Sequence, residues 1–198
     1  DDGGRIDYAI GRGHLALREP LDAVRYLTQA KGRGLDLPEL HYALGRALGE
    51  LFQQSLEEAR RQGDKSWLDG RRAELEAQYL QPAVAELERS RGGTLDSPDY
   101  LDGLLAFYRK QYDVALAKAR RAATDSPWLY EARQLEGDVL LASGTDQKDH
   151  GQYNEGKATL EAAIVAYKQA ADVGRSDAIS YESIAEAYIQ QSEIARNA

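Results

Sequence analysis

Small and apolar residues recur along this chain at intervals of three and four, the period of one face of an α-helix. The clearest case is a triplet with a small or apolar residue at positions i, i+4 and i+7. It occurs four times: Ala23/Leu27/Ala30, Ala83/Leu87/Ser90, Ala115/Ala119/Ala122 and Ala163/Tyr167/Ala170. Residues at these spacings are neighbours on a helix surface, so each triplet predicts a helix that packs through small side chains.

A single small residue, which we call the marker, precedes each triplet. The markers are Gly11, Gly45, Gly103 and Gly137, with Ala185 as a fifth. Two stand in nearly identical segments, Tyr-Ala-Ile-Gly-Arg at 8–12 and Tyr-Ala-Leu-Gly-Arg at 42–46, 34 residues apart. Because glycine costs up to about 1 kcal/mol in a helix interior, its recurrence in one register indicates close helix crossings. Each marker therefore predicts a first helix, and each triplet a second helix that crosses it.

The chain is accordingly predicted to be all-α, with about nine helices in antiparallel pairs. The predicted helices lie near 5–18, 20–31, 38–62, 66–91, 97–109, 112–124, 127–143, 152–173 and 177–195. Ser97-Pro98 and Ser126-Pro127 each predict a helix start, since serine caps a helix N-terminus and proline suits the first turn. In the fourth pair, glycines and aspartates predict a break over 143–151.

The second pair is predicted to be elongated. From Gly45 to Ala83 is 38 residues (83 − 45), whereas a marker precedes its triplet by 12 in the first and third pairs. Residues 50–62 and 71–81 are rich in helix formers, and a turn is indicated only at 63–66. The insertion therefore predicts two longer helices that project about 20 Å beyond their neighbours.

These helix pairs resemble the tetratricopeptide repeat (TPR) family, which has a 34-residue period and small residues at the marker and triplet positions. The third repeat, from Tyr100 through Gly103 to Pro127, is the cleanest match. The resemblance implies a right-handed superhelix of antiparallel helix pairs, forming one solenoid domain over residues 1–198. The expected repeats are approximately 5–37, 38–95, 96–127, 128–176 and a partial repeat at 177–198.

Several longer phrases resemble a particular group, the TPR region C-terminal to the catalytic domain in large bacterial Ser/Thr protein kinases. They lie at 42–51, 71–75, 126–132, 135–140 and 174–177. The catalytic motifs of a kinase, such as His-Arg-Asp and Asp-Phe-Gly, do not occur in this sequence. The resemblance implies a fragment of a larger signalling protein whose kinase domain lies upstream. The sequence contains no methionine, which agrees with a fragment.

Composition narrows the range of partners. The formal net charge is −8, with 25 Lys and Arg against 33 Asp and Glu, which argues against nucleic acid and a polybasic membrane anchor. The absence of cysteine excludes disulfides and thiolate metal sites and fits a reducing compartment. No apolar run approaches the roughly 20 residues of a membrane span. We therefore expect a cytoplasmic protein without membrane insertion.

The residues capable of catalysis or metal binding are sparse. His14 takes a position where the TPR consensus places a core aromatic ring, so we expect it to be packed. We expect His41, on a first helix, to be partly exposed, and His150 to lie with Asp146 and Asp149 in a solvated turn. No catalytic constellation is recognisable, and we expect no enzymatic activity, no cofactor and no metal.

The TPR resemblance implies a concave groove, lined by the first helices, that binds a protein or peptide. In this family the groove-facing residues of each repeat lie three positions before the marker and one, four and five positions after it. The predicted binding residues are Tyr8, Arg12, Tyr42, Arg46, Tyr100, Leu104, Phe107, Tyr108, Asp138 and Glu186. The tyrosines would form a solvent-exposed stripe. The arginines would make the N-terminal end cationic and suited to an acidic side chain or a C-terminal carboxylate.

Two alternatives remain open. The predicted tyrosines and arginines could instead pack against the next repeat or pair with local glutamates. The chain could also be a structural or assembly module that associates with itself through uncapped repeat ends or the projecting hairpin. Neither the partner nor the oligomeric state follows from the sequence.

Overall fold

The computed structural model describes residues 2–62, 65–93, 97–175 and 178–197. Within these ranges all regular secondary structure is helical. The helices are α1 (Asp2–Ala16), α2 (Pro20–Gly32), α3 (Pro38–Gln62), α4 (Lys65–Leu75), α5 (Gln81–Arg89), α6 (Pro98–Tyr108), α7 (Tyr112–Asp125), α8 (Tyr130–Asp149), α9 (Tyr153–Val173) and α10 (Ile179–Asn197). A π-helical turn, Glu76–Leu80, joins α4 to α5, so these elements form one rod. If α4, the π-helical turn and α5 are counted as one continuous helix, the described residues form nine helices.

The predicted all-α, TPR-like architecture of antiparallel helix pairs is confirmed. The elongated second pair is confirmed too: α3 has 25 residues, whereas α1 has 15 and α2 has 13. Part of the turn predicted at 63–66 lies outside the described residues. The chain divides into two compact units, Asp1–Leu95 and Asp96–Ala198, at the predicted boundary between the second and third repeats. The organisation of the whole chain as one solenoid domain stays a prediction.

In unit 1 the marker glycines lie where two helices cross. A Cβ atom built on Gly11 would lie 2.7 Å from Cγ of Leu27, and one built on Gly45 would lie 2.7 Å from Cγ of Leu87. Both leucines are the central residues of their triplets and are fully buried. Any side chain at the marker would therefore occupy the space that the triplet leucine fills.

Unit 2 repeats this arrangement with different side chains. A Cβ atom on Gly137 would lie 2.3 Å from Cε1 of Tyr167, and one on Gly103 would lie 3.3 Å from the backbone nitrogen of Ala119. Tyr167 is fully buried, and its hydroxyl donates a hydrogen bond of 2.9 Å to Asp138. Burial, reinforced by the Asp138 carboxylate, raises the pKa of Tyr167 well above its ordinary value.

The break predicted at 143–151 is corrected, since α8 continues through Gly144 to Asp149. Gly144 marks another close crossing: a Cβ atom there would lie 2.9 Å from Cγ of Leu160 in α9. The chain reverses only at Gly151, which has a φ of +76°. A glycine that predicts a loop in sequence can therefore serve as a packing residue within a helix.

Of the two helix starts predicted at Ser-Pro pairs, only one agrees with the structure. The start at Ser97-Pro98 is confirmed, because the Ser97 hydroxyl accepts a hydrogen bond of 3.2 Å from the backbone N–H of Tyr100. The start at Ser126-Pro127 is wrong by three residues, as α8 begins at Tyr130.

The π-helical turn, which was not predicted from the sequence, ends two residues before Pro82. A proline ring inside an α-helix clashes with the carbonyl four residues earlier and donates no hydrogen bond to it. Here the N–H of Gln81 donates to the carbonyl of Glu76, five residues back. The wider turn accommodates the proline ring without ending the helix.

In the described residues no helix is long and apolar enough to cross a lipid bilayer.

The marker contacts predict opposite effects of alanine at two glycines of the same helix. Gly11→Ala places a methyl group against the buried Leu27, and such overpacking costs about 1–3 kcal/mol. Gly13→Ala meets no atom within 4 Å and gains up to about 1 kcal/mol of helix propensity. Urea unfolding, followed by Trp67 fluorescence in a Trp128→Phe background, should show the first variant destabilised and the second stabilised. Equal effects would contradict the close crossing.

Candidate functional site

The predicted binding residues of unit 1 lie at the surface of the first helices. Arg12 is exposed, and its guanidinium carbon lies 5.7 Å from the ring centroid of the half-buried Tyr8, a cation–π arrangement. Arg46 is half-buried and donates a hydrogen bond of 3.2 Å to Glu50. Arg18 also lies 3.5 Å from Glu50. The local glutamate pairing considered from sequence is therefore present at Arg46, whereas Arg12 points its charge to solvent beside an aromatic ring.

The predicted aromatic stripe continues only in part at the surface of unit 2. Tyr100 and Leu104 are each 7% exposed and belong to the buried core. The expectation that Tyr100 is solvent-exposed is therefore wrong. Phe107 and Tyr108 are half-buried, with ring centroids 6.0 Å apart. Periodicity places these residues on one face of α6 but does not establish what covers that face.

The two predicted acidic residues have partners within unit 2. Asp138 accepts hydrogen bonds from the Gln134 amide at 3.1 Å and from the Tyr167 hydroxyl. Glu186 accepts a hydrogen bond of 2.7 Å from the Gln190 amide. Asp138 thus helps to hold a second helix against a first helix, in addition to any role in binding. The groove assignment of all ten residues stays a prediction.

A buried polar cluster in unit 1 centres on His41, which is 5% exposed, so the expectation of partial exposure is wrong. Nδ1 of His41 lies 2.5 Å from Glu86, and Nε2 lies 2.6 Å from Asp36. Lys31 donates a hydrogen bond of 2.6 Å to the other oxygen of Glu86. These residues come from α2, the loop after it, α3 and α5. The cluster therefore joins the first hairpin to the second.

Charge in this cluster is mutually compensated. Burial disfavours ionisation of Glu86, but hydrogen bonds from Lys31 and His41 outweigh that effect and hold its pKa below the ordinary value. The hydrogen bond and charge of His41 also lower the pKa of Asp36. Both ring nitrogens of His41 thus lie within hydrogen-bond distance of a carboxylate, one of Glu86 and one of Asp36.

The cluster borders an open cleft of about 660 Å³. The cleft is lined by Lys31, Gly34, Leu35, Asp36, Pro38, His41 and Arg89. Its charged walls are part of the ion-pair network, because Arg89 also lies 3.7 Å from Glu86. The arrangement is suited to cohesion between hairpins.

The position of His41 relative to its marker recurs as a polar position in other repeats. His41 stands four residues before its marker, and Asp7 and Asp99 occupy the same register in other repeats. Asp7 pairs with Arg33 at 2.9 Å, and Asp99 pairs with Lys118 of α7 at 2.6 Å. A polar residue at this position therefore faces the second helix or the turn after it.

A second group of potential ligands lies in the first hairpin. His14, Glu19 and Asp22 could each offer one ligand atom, and these atoms lie within 4.8 Å of one another. His14 stacks on Tyr26, with ring centroids 5.3 Å apart, which agrees with the expected packing of its ring. Asp22 lies 2.9 Å from Arg25, whose charge competes with a cation. His150 is exposed, as expected for a turn.

Comparison with known proteins adds little to these observations. No family model and no curated protein match the chain. Among solved structures, a MamA mutant is 17% identical at a TM-score of 0.45 and covers 99% of this chain and 87% of its own. MamA MSR-1 is 18% identical at a TM-score of 0.45, covering 99% and 91%. MamA from Desulfovibrio magneticus RS-1 is 18% identical at 0.33, covering 89% and 98%. Similarity at this level assigns neither family nor function.

The His41 cluster predicts a specific loss of stability. His41→Ala leaves Glu86 buried with Lys31 as its closest remaining cation, and breaking a buried charge pair costs about 3–5 kcal/mol. Because Lys31 remains, we expect a loss near 3 kcal/mol in urea unfolding. The control His150→Ala removes an exposed histidine and should change stability by less than about 0.5 kcal/mol. Similar effects of the two variants would contradict the coupling.

The same cluster predicts acid sensitivity. The pKa of Glu86 is lower in the folded chain than its ordinary value of 4.5, so the stability it contributes is present above that pH. This contribution is lost as pH falls through the folded pKa. The free energy of unfolding, measured by Trp67 fluorescence between pH 6 and 3, should therefore fall below about pH 4.5. Glu86→Gln should flatten that fall, and an unchanged slope would contradict the assignment.

Proposed function

We propose that this chain is a non-catalytic protein–protein interaction module, and that its groove binds an acidic side chain or C-terminal carboxylate through Arg12 and Arg46. The observation that carries the proposal is the Tyr8–Arg12 pair, an exposed guanidinium beside an aromatic ring on a first helix. Tyrosine and arginine are enriched in protein interfaces. An incoming carboxylate would replace Glu50 as the partner of Arg46.

Peptide binding tests this proposal. A library of fluorescent peptides with free C-terminal carboxylates is compared with its amidated counterpart by polarisation. The free acids should bind more tightly. Arg12→Ala/Arg46→Ala should weaken the best binder by at least about tenfold, since hydrogen bonds to charged groups contribute about 1.5–3 kcal/mol each. The control Arg60→Ala/Lys157→Ala removes the same charge at exposed positions outside the groove and should leave affinity unchanged.

Equal losses in the two variants would indicate a nonspecific charge effect and would contradict the arginine site. Equal affinity for free and amidated peptides would exclude recognition of a C-terminal carboxylate. An acidic side chain would then remain as the ligand, and a scan of internal Asp and Glu positions would test it.

We further propose that the module is the TPR region of a bacterial Ser/Thr kinase and that it senses or docks a partner of that kinase in the cytoplasm. The phrases at 42–51 and 126–132 are the support for this assignment. Sequencing the upstream coding region tests it. An open reading frame with Val-Ala-x-Lys, His-Arg-Asp and Asp-Phe-Gly motifs is expected. An in-frame stop or an unrelated domain would contradict the kinase assignment.

The alternative, an assembly module, is supported by exposed apolar side chains at the first hairpin. Ile6, Leu17 and Leu21 are each more than half exposed. Sedimentation equilibrium over a hundredfold range of concentration distinguishes the two functions. A constant monomer mass favours the interaction module, whereas a rising mass that Leu17→Glu/Leu21→Glu abolishes favours self-assembly through the repeat end.

A further inference from the structure

Two arginines of unit 1 converge on one carboxylate. Nη2 of Arg46 donates a hydrogen bond of 3.2 Å to Oε1 of Glu50, and Nη1 of Arg18 lies 3.5 Å from Oε2 of the same side chain. Arg46 and Glu50 belong to α3, whereas Arg18 belongs to the turn between α1 and α2. The three side chains are between 19% and 35% exposed, so solvent reaches each of them. We call these three residues the Glu50 site.

The Glu50 site coincides with the predicted groove. Arg46 stands one residue after its marker and Glu50 five after it, and both positions face the groove in the register that the TPR resemblance implies. Arg12 holds the same register in α1 as Arg46 does in α3, and its guanidinium lies beside Tyr8. Arg18 therefore adds a further cation from the first hairpin to the arginines already proposed for binding.

The Glu50 carboxylate is held incompletely. Its Oε2 atom is buried, and no group in the described part of the chain donates a hydrogen bond to it. Burial of a polar atom without a hydrogen bond costs free energy. An arginine four residues before a glutamate is also the less stable order of such a helical pair, because the helix dipole favours the acid on the N-terminal side. A carboxylate that accepts from both arginines would therefore be a better partner for them than Glu50.

We propose that Arg18 and Arg46 form a carboxylate subsite of the groove, and that Glu50 occupies this subsite until a ligand carboxylate displaces it. The inference rests on the proposed function and deepens it, because it adds a binding residue and an internal competitor to the same groove. Guanidinium groups are suited to the task, since their planar donors match the two oxygens of a carboxylate. The ligand class is a peptide acid.

The internal carboxylate sets a threshold for binding. Glu50 is tethered to α3, so it competes at a high effective concentration that a small anion in solution does not match. A peptide acid gains additional contacts, such as those with Tyr8 and Arg12, and can exceed the threshold. Glu50 therefore determines specificity, because it rejects small anions and admits a carboxylate that is carried by a longer ligand.

Acetate serves as the probe, because it offers a carboxylate and few other contacts. The arginine Nε–Hε resonances of the full chain are followed by NMR during titration with sodium acetate, against sodium chloride at equal ionic strength. Glu50→Gln removes the competitor, so acetate should shift the Arg18 and Arg46 resonances with a half-saturation concentration at least about fivefold lower than in the parent chain. The control Glu57→Gln makes the same charge change on α3, at a glutamate 3.0 Å from Arg60, and should behave like the parent.

Arg18 can be replaced without loosening its turn. Its backbone is left-handed, with a φ of +63°, and Lys110 takes the equivalent place between α6 and α7 with a φ of +58°. Glycine adopts this conformation at lower cost, so both glycine variants should unfold at a urea concentration no lower than the parent. In the Glu50→Gln background, Arg18→Gly should abolish the saturable shift of the Arg46 resonance. Lys110→Gly removes the same charge and should leave that shift unchanged.

Two results would overturn the subsite. One is a response of the Glu50→Gln arginines to acetate that does not exceed their response to chloride. The other is equal acetate binding by the Arg18→Gly and Lys110→Gly variants.

Failure of the subsite and failure of the proposed function are distinguishable. Acetate binding that depends on Arg18, together with equal affinity for free and amidated peptides, would support the subsite and contradict recognition of a C-terminal carboxylate. A preference for free peptide acids that neither Arg18→Gly nor Glu50→Gln alters would support the groove and overturn the subsite.

Discussion

The structure of each unit depends on the close approach of two helices at a residue without a bulky side chain. At Gly11, Gly45 and Gly137 the neighbouring leucine or tyrosine occupies the space where a side chain would begin. Van der Waals contacts weaken steeply with distance, so the crossing gains its cohesion from this proximity. The glycines reduce helix propensity, and buried contact with the triplet outweighs that loss.

Polar contacts then fix the relation of successive helices. His41, Glu86 and Lys31 join the first hairpin to the second, and Lys118 joins α7 to two aspartates of α6. Removing one partner of the buried His41–Glu86 contact leaves the other without compensation, so this contact discriminates strongly against misaligned helices. In the described residues, the solvent-exposed side of a first helix makes no such buried contacts with its neighbours. Tyr8 and Arg12 lie on that side of α1. One side of a first helix is therefore used for packing, and the other is available for recognition.

Local periodicity was sufficient to predict the helices, the triplets and the elongated second pair, because each depends on spacing within one segment. Local periodicity was insufficient where the burial or packing of a residue depends on another residue far away in the sequence. Gly144 resembles a loop residue until Leu160 packs over it, and Tyr100 resembles a surface residue although it is buried. The buried state of His41 depends on Glu86, 45 residues away. The π-helical turn follows from Pro82, a local cause that helix propensity alone does not represent.

The central claim is that the marker and the triplet residue compete for one space. A double-mutant cycle on Gly137→Ala and Tyr167→Val measures this directly, because the three atoms nearest to a Cβ on Gly137 all belong to the Tyr167 ring. Unit 2 is monitored by Trp128 in a Trp67→Phe background. Alanine should cost much less when the ring is absent, giving a coupling free energy of at least about 1 kcal/mol. Additive effects within about 0.5 kcal/mol would contradict the account.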